Sequence, residues 1–216
     1  MIAQYGLLIA QGVTVTLVAW LCAMTLSVLI GVSLGMLSSR YTSSPLTMRL
    51  IRIYTFITKG IPAYVQILIA YFMLPALLGI QIPGLVAAVG ALALCSSGYV
   101  TEIVRAGINA VPVGQYDACR ALGYSYTALM RRIIMPQALK NVAPALFGEC
   151  EQLLKSTSLL ATIGITEVTR AGMNIISREL NPVPVYLMIA GIYLVCAACV
   201  QAALWYAERR MTYGER

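Results

Sequence analysis

The sequence predicts an all-α integral membrane protein with five transmembrane helices in a single domain, residues 1–216. Of its 216 residues, 60% are hydrophobic and only 11% are charged, whereas a soluble domain carries roughly 25% charged residues. The apolar residues form runs long enough to cross a bilayer, for which about 20 residues suffice. The net charge of +7 comes from basic residues between these runs, a pattern that indicates membrane topology and not a nucleic-acid partner.

The first predicted span covers residues 7–36, which carry no charge. It contains Gly31-Val-Ser-Leu-Gly35, which fits both the G-x-S-x-G of serine hydrolases and a small-residue packing face. The whole sequence lacks histidine, so the hydrolase interpretation fails and the packing face remains. Residues 38–60 hold basic residues without acids, which predicts a cytoplasmic loop with an interfacial helix over residues 48–57.

The second predicted span covers residues 62–78. Pro62 is expected in its first turn, where proline is tolerated, and Pro75 is expected to bend the helix or end it early. The third predicted span covers residues 85–104 and carries the polar side chain of Tyr99.

The fourth predicted span, residues 143–165, is the most polar of the five. Ionisable groups within a bilayer are costly and usually face a cavity or one another. Glu151 and Lys155 are four residues apart and can pair within one helix, which leaves Glu149 without a partner in that helix. An external loop is predicted over residues 166–184.

The fifth predicted span covers residues 185–206 and is followed by a charged tail. With this arrangement the predicted inside segments hold 12 of the 15 lysines and arginines. They are Arg40, Arg49, Arg52, Lys59, Arg105, Arg120, Arg131, Arg132, Lys140, Arg209, Arg210 and Arg216. The bias predicts an external N-terminus and a cytoplasmic C-terminus.

Residues 111–136 form the longest polar interval of the chain, and they predict two short helices. The first is expected over residues 115–122, with Tyr116, Cys119 and Leu122 on one face. Gly123 is expected to end it with a positive φ angle. Ser125 is expected to cap the second, which Pro136 would stop or kink.

This interval resembles the E-A-A-x3-G-x9-I-x-L-P loop of type I ABC importer permeases. Asp replaces Glu, Cys replaces Ala and Met replaces Leu at three of the motif positions. The matching residues, in the order of the motif, are Asp117, Ala118, Cys119, Gly123, Ile133, Met135 and Pro136.

The flanking segments are similar to those of the polar amino acid permeases within this group, of the histidine, glutamine and arginine type. Gly98-Tyr99-Val100-Thr101-Glu102-Ile103 resembles the segment before the loop, and Leu154-Lys155-Ser156-Thr157-Ser158-Leu159 resembles the family's L-K-D-T-S-L, with Ser156 in place of Asp. Lys59-Gly60-Ile61-Pro62 resembles R-G-T-P with two departures. The resemblance covers nearly the whole chain, and its motifs keep their order.

The resemblance implies the type I ABC importer fold and a membrane-spanning subunit of an ATP-driven amino-acid importer in the bacterial cytoplasmic membrane. Its partners would be an ABC ATPase subunit, a second permease chain, identical or homologous, and an extracytoplasmic substrate-binding protein. ATP and Mg would bind to the ATPase. The sequence has no G-x4-G-K-[ST] motif, so we expect no cofactor, metal or catalytic residue in this chain and no enzyme activity of its own.

The resemblance assigns contact with the ATPase to the polar interval. The residues expected there are Tyr116, Asp117, Ala118, Cys119, Arg120, Gly123, Ile133 and Pro136. The residues expected along the substrate path are Tyr99, Glu149, Glu151, Lys155, Thr157 and Ser158.

Glu149 gives the only indication of the substrate. A bare carboxylate in a low-dielectric path is costly unless it is protonated or meets a cation. A basic amino acid such as arginine, lysine or histidine would supply that cation, and Lys155 or the hydroxyls of Thr157 and Ser158 would receive its α-carboxylate. The alternative is that Glu149 only hydrogen-bonds a neighbouring helix.

An ATP-independent secondary transporter or channel is the rival interpretation. Glu149, Glu151 and Lys155 would suit ion coupling. The paired short helices before Pro136 and the absence of an internal repeat disfavour this interpretation.

Overall fold

The computed structural model describes residues 2–213, which are helical over most of their length. Its α-helices are α1 (Ile2–Leu37), α2 (Pro45–Gly60), α3 (Ala63–Leu68), α4 (Leu74–Leu78), α5 (Gly84–Asn109), α6 (Val113–Ala121), α7 (Tyr126–Leu129), α8 (Met135–Ser156), α9 (Val168–Glu179) and α10 (Pro182–Tyr213). Two π-helical segments, Ile69–Met73 and Met130–Ile134, and one 3-10 segment, Thr157–Ile163, join some of them without a break.

Helix α5 is the centre of the bundle and packs against α1, α2, α3 and α8. The long helix α1 crosses it with a narrow buried face of small residues, which are Ala19, Ala23, Ser27, Gly31 and Gly35. A Cβ atom at Gly31 would lie 2.5 Å from the Cβ of Val100, so the two backbones approach too closely for any side chain there. The small-residue packing face predicted at Gly31 and Gly35 is therefore confirmed.

Three of the predicted spans are long helices of sufficient hydropathy to cross a membrane. Residues 7–36, 85–104 and 185–206 lie within Tyr5–Leu37, Gly84–Asn109 and Pro182–Tyr206. Each of these three helices is longer than the apolar core of a bilayer is thick, so hydropathy alone was sufficient to predict them.

Residues 38–60, predicted as a loop that holds a helix over residues 48–57, do contain that helix as α2. The helix is six residues longer than the interfacial helix expected over residues 48–57, because Ser44 caps its start by accepting a hydrogen bond from the Thr47 amide. It packs closely on α5, where a Cβ at Gly98 would lie 2.2 Å from the Thr58 hydroxyl. Helix α2 and residues 63–78 together meet the requirements for a fourth span, bent by 96° at the break between them.

The fourth predicted span, residues 143–165, differs from the others. Helix α8 starts earlier, at Met135, and changes at Thr157 into the 3-10 segment that ends at Gly164 in left-handed geometry. Its four ionisable residues keep it outside the set of helices that qualify as spans by composition; they are Lys140, Glu149, Glu151 and Lys155.

The predicted external loop over residues 166–184 contains the amphipathic helix α9, so the loop prediction is wrong there. Glu167 caps the helix, and its carboxylate accepts hydrogen bonds from the amides of Thr169 and Arg170, each at 2.8 Å. The phenol of Tyr193 donates a third hydrogen bond to it at 2.7 Å. The burial of this polar cap explains why a loop-like sequence folds as a packed helix.

Each π-helical segment directly precedes a proline. Ile69–Met73 comes before Pro75, and Met130–Ile134 comes before Pro136. Proline cannot donate the backbone hydrogen bond and clashes with the preceding turn, and a π turn accommodates that loss without ending the helix. The helix therefore continues past both prolines, so neither proline stops it.

Candidate functional site

The first part of the candidate site is the exposed segment around α6, which consists of that helix and the turn after it, residues 113–124. Tyr124 donates its amide to the Cys119 carbonyl and Gly123 donates to the Arg120 carbonyl, both at 3.0 Å, which is the Schellman pattern of helix ends. Gly123 has a φ angle of 77°. The predicted left-handed turn at Gly123 is confirmed.

Helix α6 is anchored on one side and open on the other. Cys119 is buried in the core, and the ring of Tyr116 stacks on Tyr41 with centroids 4.7 Å apart. Leu122 is 76% exposed, so it does not pack into the core beside Cys119, with which it was predicted to share a face. The remaining predicted coupling residues of this helix, Asp117, Ala118 and Arg120, also face outward.

The predicted second helix forms and continues past its expected end. Ser125 caps it by accepting a hydrogen bond from the Ala128 amide at 3.4 Å. From Tyr126 the chain stays helical through Ile133 and Pro136 as far as Ser156. The exposed segment around α6 therefore leads, through the turn at Gly123, into one continuous helical stretch, residues 126–156, that carries Glu149.

The second part of the candidate site is a cavity of about 380 Å³ between the end of α2, the start of α3, α5 and α8. Its lining residues are Lys59, Ile61, Pro62, Ala63, Leu92, Cys95, Ser96, Tyr99, Glu149, Gln152, Leu153 and Ser156. It combines one acidic and one basic side chain with hydroxyl, amide and apolar groups, which suits a small zwitterionic molecule.

The carboxylate of Glu149 is held by a chain of hydroxyls that starts on α1. Ser27 donates to Ser96 at 2.9 Å, and Ser96 donates to Glu149 at 2.6 Å. Trp20, on the same helix, donates its indole N–H to the Cys150 carbonyl at 2.9 Å. Glu149 thus both contacts a neighbouring helix and lines the cavity, and its contact with a substrate stays a prediction.

Lys59 is the basic residue of the cavity, and the sequence analysis missed it. It lies in the last turn of α2, where a cation is favourable to the helix dipole. Its ammonium nitrogen is 5.5 Å from the ring centroid of Tyr99. The signal available in the sequence was the glycine and proline of Lys59-Gly60-Ile61-Pro62, which break the helix and leave this lysine at its end.

The other predicted substrate-path residues do not line the cavity. Lys155 pairs with Glu151 at 2.6 Å, as their spacing predicted, and its side chain is 55% exposed. The hydroxyl of Thr157 is buried and donates to the Leu154 carbonyl, and that of Ser158 donates to the Lys155 carbonyl. The structure therefore brings together Tyr99 and Glu149 from that set, and adds Lys59.

No cluster of three or more potential metal ligands occurs among the side chains that the structure describes.

Comparison with known proteins identifies relatives across nearly the full length. The family model of the binding-protein-dependent transport system inner membrane component matches residues 27–213. The probable amino-acid permease YxeN of Bacillus subtilis is 34% identical over 214 residues, which cover 98% of this chain and 94% of that protein.

A shorter match has higher identity. The arginine transport system permease ArtQ of Bacillus subtilis is 46% identical over 117 residues, which are 54% of this chain and 53% of that relative. Among solved structures, the crystal structure of an amino acid ABC transporter with histidines matches with a TM-score of 0.87 at 35% identity. That match covers 97% of this chain and 96% of the other.

Proposed function

Because the chain belongs to the family of inner-membrane components of binding-protein-dependent transport systems, we propose that it is the permease subunit of an ATP-driven amino-acid importer. The proposed substrates are basic amino acids, with arginine, lysine or histidine favoured over glutamine or glutamate. The observation that carries the proposal is the cavity in which the Glu149 carboxylate and the Lys59 ammonium are both available to a ligand.

The cavity supports an amino acid by charge complementarity. The carboxylate of Glu149 suits the cationic group of the substrate, and Lys59 suits its α-carboxylate, so each ion in the cavity meets an opposite charge. Lys59 thus takes the role that the sequence had suggested for Lys155. The arginine permease and the amino acid ABC transporter solved with histidines, among the similar proteins, support a basic side chain.

Coupling to ATP is proposed for the exposed segment around α6. Asp117, Ala118 and Arg120 face outward beside the left-handed turn at Gly123, so a partner ATPase has an accessible short helix to hold. ATP and Mg belong to that partner, and this chain provides no catalytic group. The continuous helix from Tyr126 to Ser156 gives a direct mechanical route from this segment to the cavity.

The proposed assembly contains a second permease chain, identical or homologous, and an extracytoplasmic substrate-binding protein. The proposed orientation has the N-terminus outside and α6 and the C-terminus in the cytoplasm of a bacterial cell, in agreement with the excess of basic residues near α6. Family membership supports this ATP-driven transport over the ATP-independent alternative.

The substitution Glu149→Gln tests the substrate assignment in proteoliposomes that contain the complete importer and its binding protein. We expect arginine uptake to fall at least about tenfold, since hydrogen bonds to charged groups are worth about 1.5–3 kcal/mol, while basal ATPase activity persists. Glu151→Gln is the matched control, because Glu151 lies outside the cavity and pairs with Lys155.

Competing uptake of glutamine distinguishes the outcomes. Selective loss of arginine uptake supports a cation site at Glu149. Equal loss of arginine and glutamine uptake would mean that Glu149 binds the α-ammonium group that both share, which contradicts the basic preference. Unchanged arginine uptake would remove Glu149 from the substrate site altogether.

A further inference from the structure

A second pocket lies on the other side of Lys59, between α2 and the Arg105 end of α5. Its volume is about 620 Å³. The lining residues are Arg52, Thr55, Phe56, Lys59, Gly60, Glu102 and Arg105. Lys59 also lines the Glu149 cavity, and it is the one residue that the two linings share, so the cavity and this pocket are neighbours along α2.

The pocket has an excess of positive charge. Three cations and one acid line it, for a formal sum of +2, and the acid Glu102 is already in an ion pair with Arg105. The guanidinium of Arg52 contacts only the Met48 sulfur, at 3.2 Å. Within residues 5–206, neither Arg52 nor Lys59 has a carboxylate partner. Such a lining favours an anion, and arginine in particular suits a carboxylate because its guanidinium can donate two parallel hydrogen bonds.

We infer that this pocket is a second binding site on the transport path, which receives the α-carboxylate of the amino acid once it leaves the Glu149 cavity. The inference rests on the proposed function, because the anion is part of the transported molecule. Lys59 can stay with the carboxylate throughout the transfer, and Arg52 supplies a second cation for it in the pocket.

The pocket recognises a group that all α-amino acids have in common. Its one carboxylate, Glu102, is occupied by Arg105, so nothing in the lining selects a cationic side chain. The cavity therefore selects the substrate, and the pocket accepts any amino acid that has passed it. This division makes the two sites separable by experiment.

Binding to the complete, nucleotide-free importer in phosphatidylcholine nanodiscs tests the inference. The measurement is isothermal titration in the Glu149→Gln background, which removes the selective contact of the cavity and leaves the pocket intact. We expect L-arginine and L-glutamine to bind with similar Kd, and L-argininamide, which lacks the carboxylate, not to bind. Adding Arg52→Gln should weaken binding of both amino acids at least about tenfold.

Arg49→Gln is the matched control, because Arg49 is exposed on the same helix and does not line the pocket. Unchanged binding in the Arg52→Gln variant, or equal binding of L-argininamide, would overturn the inference.

A further measurement repeats the amino-acid titration after phosphatidylglycerol is added to the nanodiscs. Loss of amino-acid binding there, with lipid retained in an Arg52-dependent manner, would assign the pocket to a lipid phosphate instead. The proposed function has its own separate test in the uptake of Glu149→Gln.

Discussion

Gly123 adopts a backbone conformation that other residues adopt only at a cost. Its φ of 77° lets the chain reverse after α6, so that Tyr124 and Gly123 satisfy carbonyls at the end of the helix. Apart from Gly123 itself and its two chain neighbours, no heavy atom lies within 4 Å of where its Cβ would be. The requirement for glycine therefore comes from the backbone angle alone and not from crowding.

The substitution Gly123→Val should strain this turn by about 1–2 kcal/mol, because an L-residue in left-handed geometry brings its Cβ close to a carbonyl oxygen. We expect the complex to assemble but to lose substrate-stimulated ATPase activity, measured with the binding protein in proteoliposomes. Gly114→Ala is the control, since Gly114 lies in the same helix with free space and no positive φ. Full stimulation of the Gly123→Val complex would show that this turn has no part in coupling.

At the residue scale, the sequence analysis identified the acidic residue of the cavity, Glu149, but not its basic residue, Lys59. Glu149 was identifiable because it interrupts a long apolar stretch, where a charge is conspicuous. Lys59 precedes the apolar stretch that begins at Pro62, so it resembled an ordinary loop residue. Only the sharp bend between α2 and α3 brings it beside Tyr99, and hydropathy contains no information about the direction of such a bend.

At the scale of elements, close packing of small residues, more than polar contacts, holds α1 against α5. The polar groups between them are few, and the face of α1 that is buried against α5 consists of residues no larger than serine. Backbones that approach this closely gain dispersion contacts along the whole crossing, which is the main source of helix association in a lipid environment. A single added carbon at the closest point should therefore force the helices apart.

Gly31→Ala tests this packing. The new Cβ would lie 2.5 Å from the Cβ of Val100, and overpacking of this kind typically costs about 1–3 kcal/mol. We expect a lower Tm for the detergent-solubilised complex. Gly6→Ala serves as the control, because nothing lies within 4 Å of that position on the same helix. A Tm equal to that of the unmodified complex would contradict the close approach.

The elements that the sequence analysis did not predict share a physical cause. Helix α9 was assigned to a loop, although Val168, Ala171, Gly172 and Ile175 form a buried face with helical spacing. Pro75 and Pro136 were expected to end or bend their helices, because proline cannot donate the backbone hydrogen bond and clashes with the preceding turn. Both predictions judged residues singly and did not consider how the helix around them adjusts or packs.

At the scale of the whole molecule, one continuous helix connects the exposed segment around α6 with the cavity. The exposed segment around α6 leads through the left-handed turn into the helix that ends at Ser156, and Glu149 lies near its far end. At about 1.5 Å per residue, the 20 residues from Leu129 to Glu149 span about 30 Å. A movement of the exposed segment would therefore displace the wall of the cavity directly, while α5 and α1 provide the surface against which it moves.

ATP-dependent uptake of radiolabelled L-arginine is the most direct test of the account. The measurement uses proteoliposomes that contain this chain, its ATPase and its binding protein, with ATP and Mg supplied on the ATPase side. We predict uptake with hydrolysable ATP and none with a non-hydrolysable analogue, whether or not a proton gradient is imposed. Uptake driven by a proton gradient without ATP would contradict the account and favour an ATP-independent transporter.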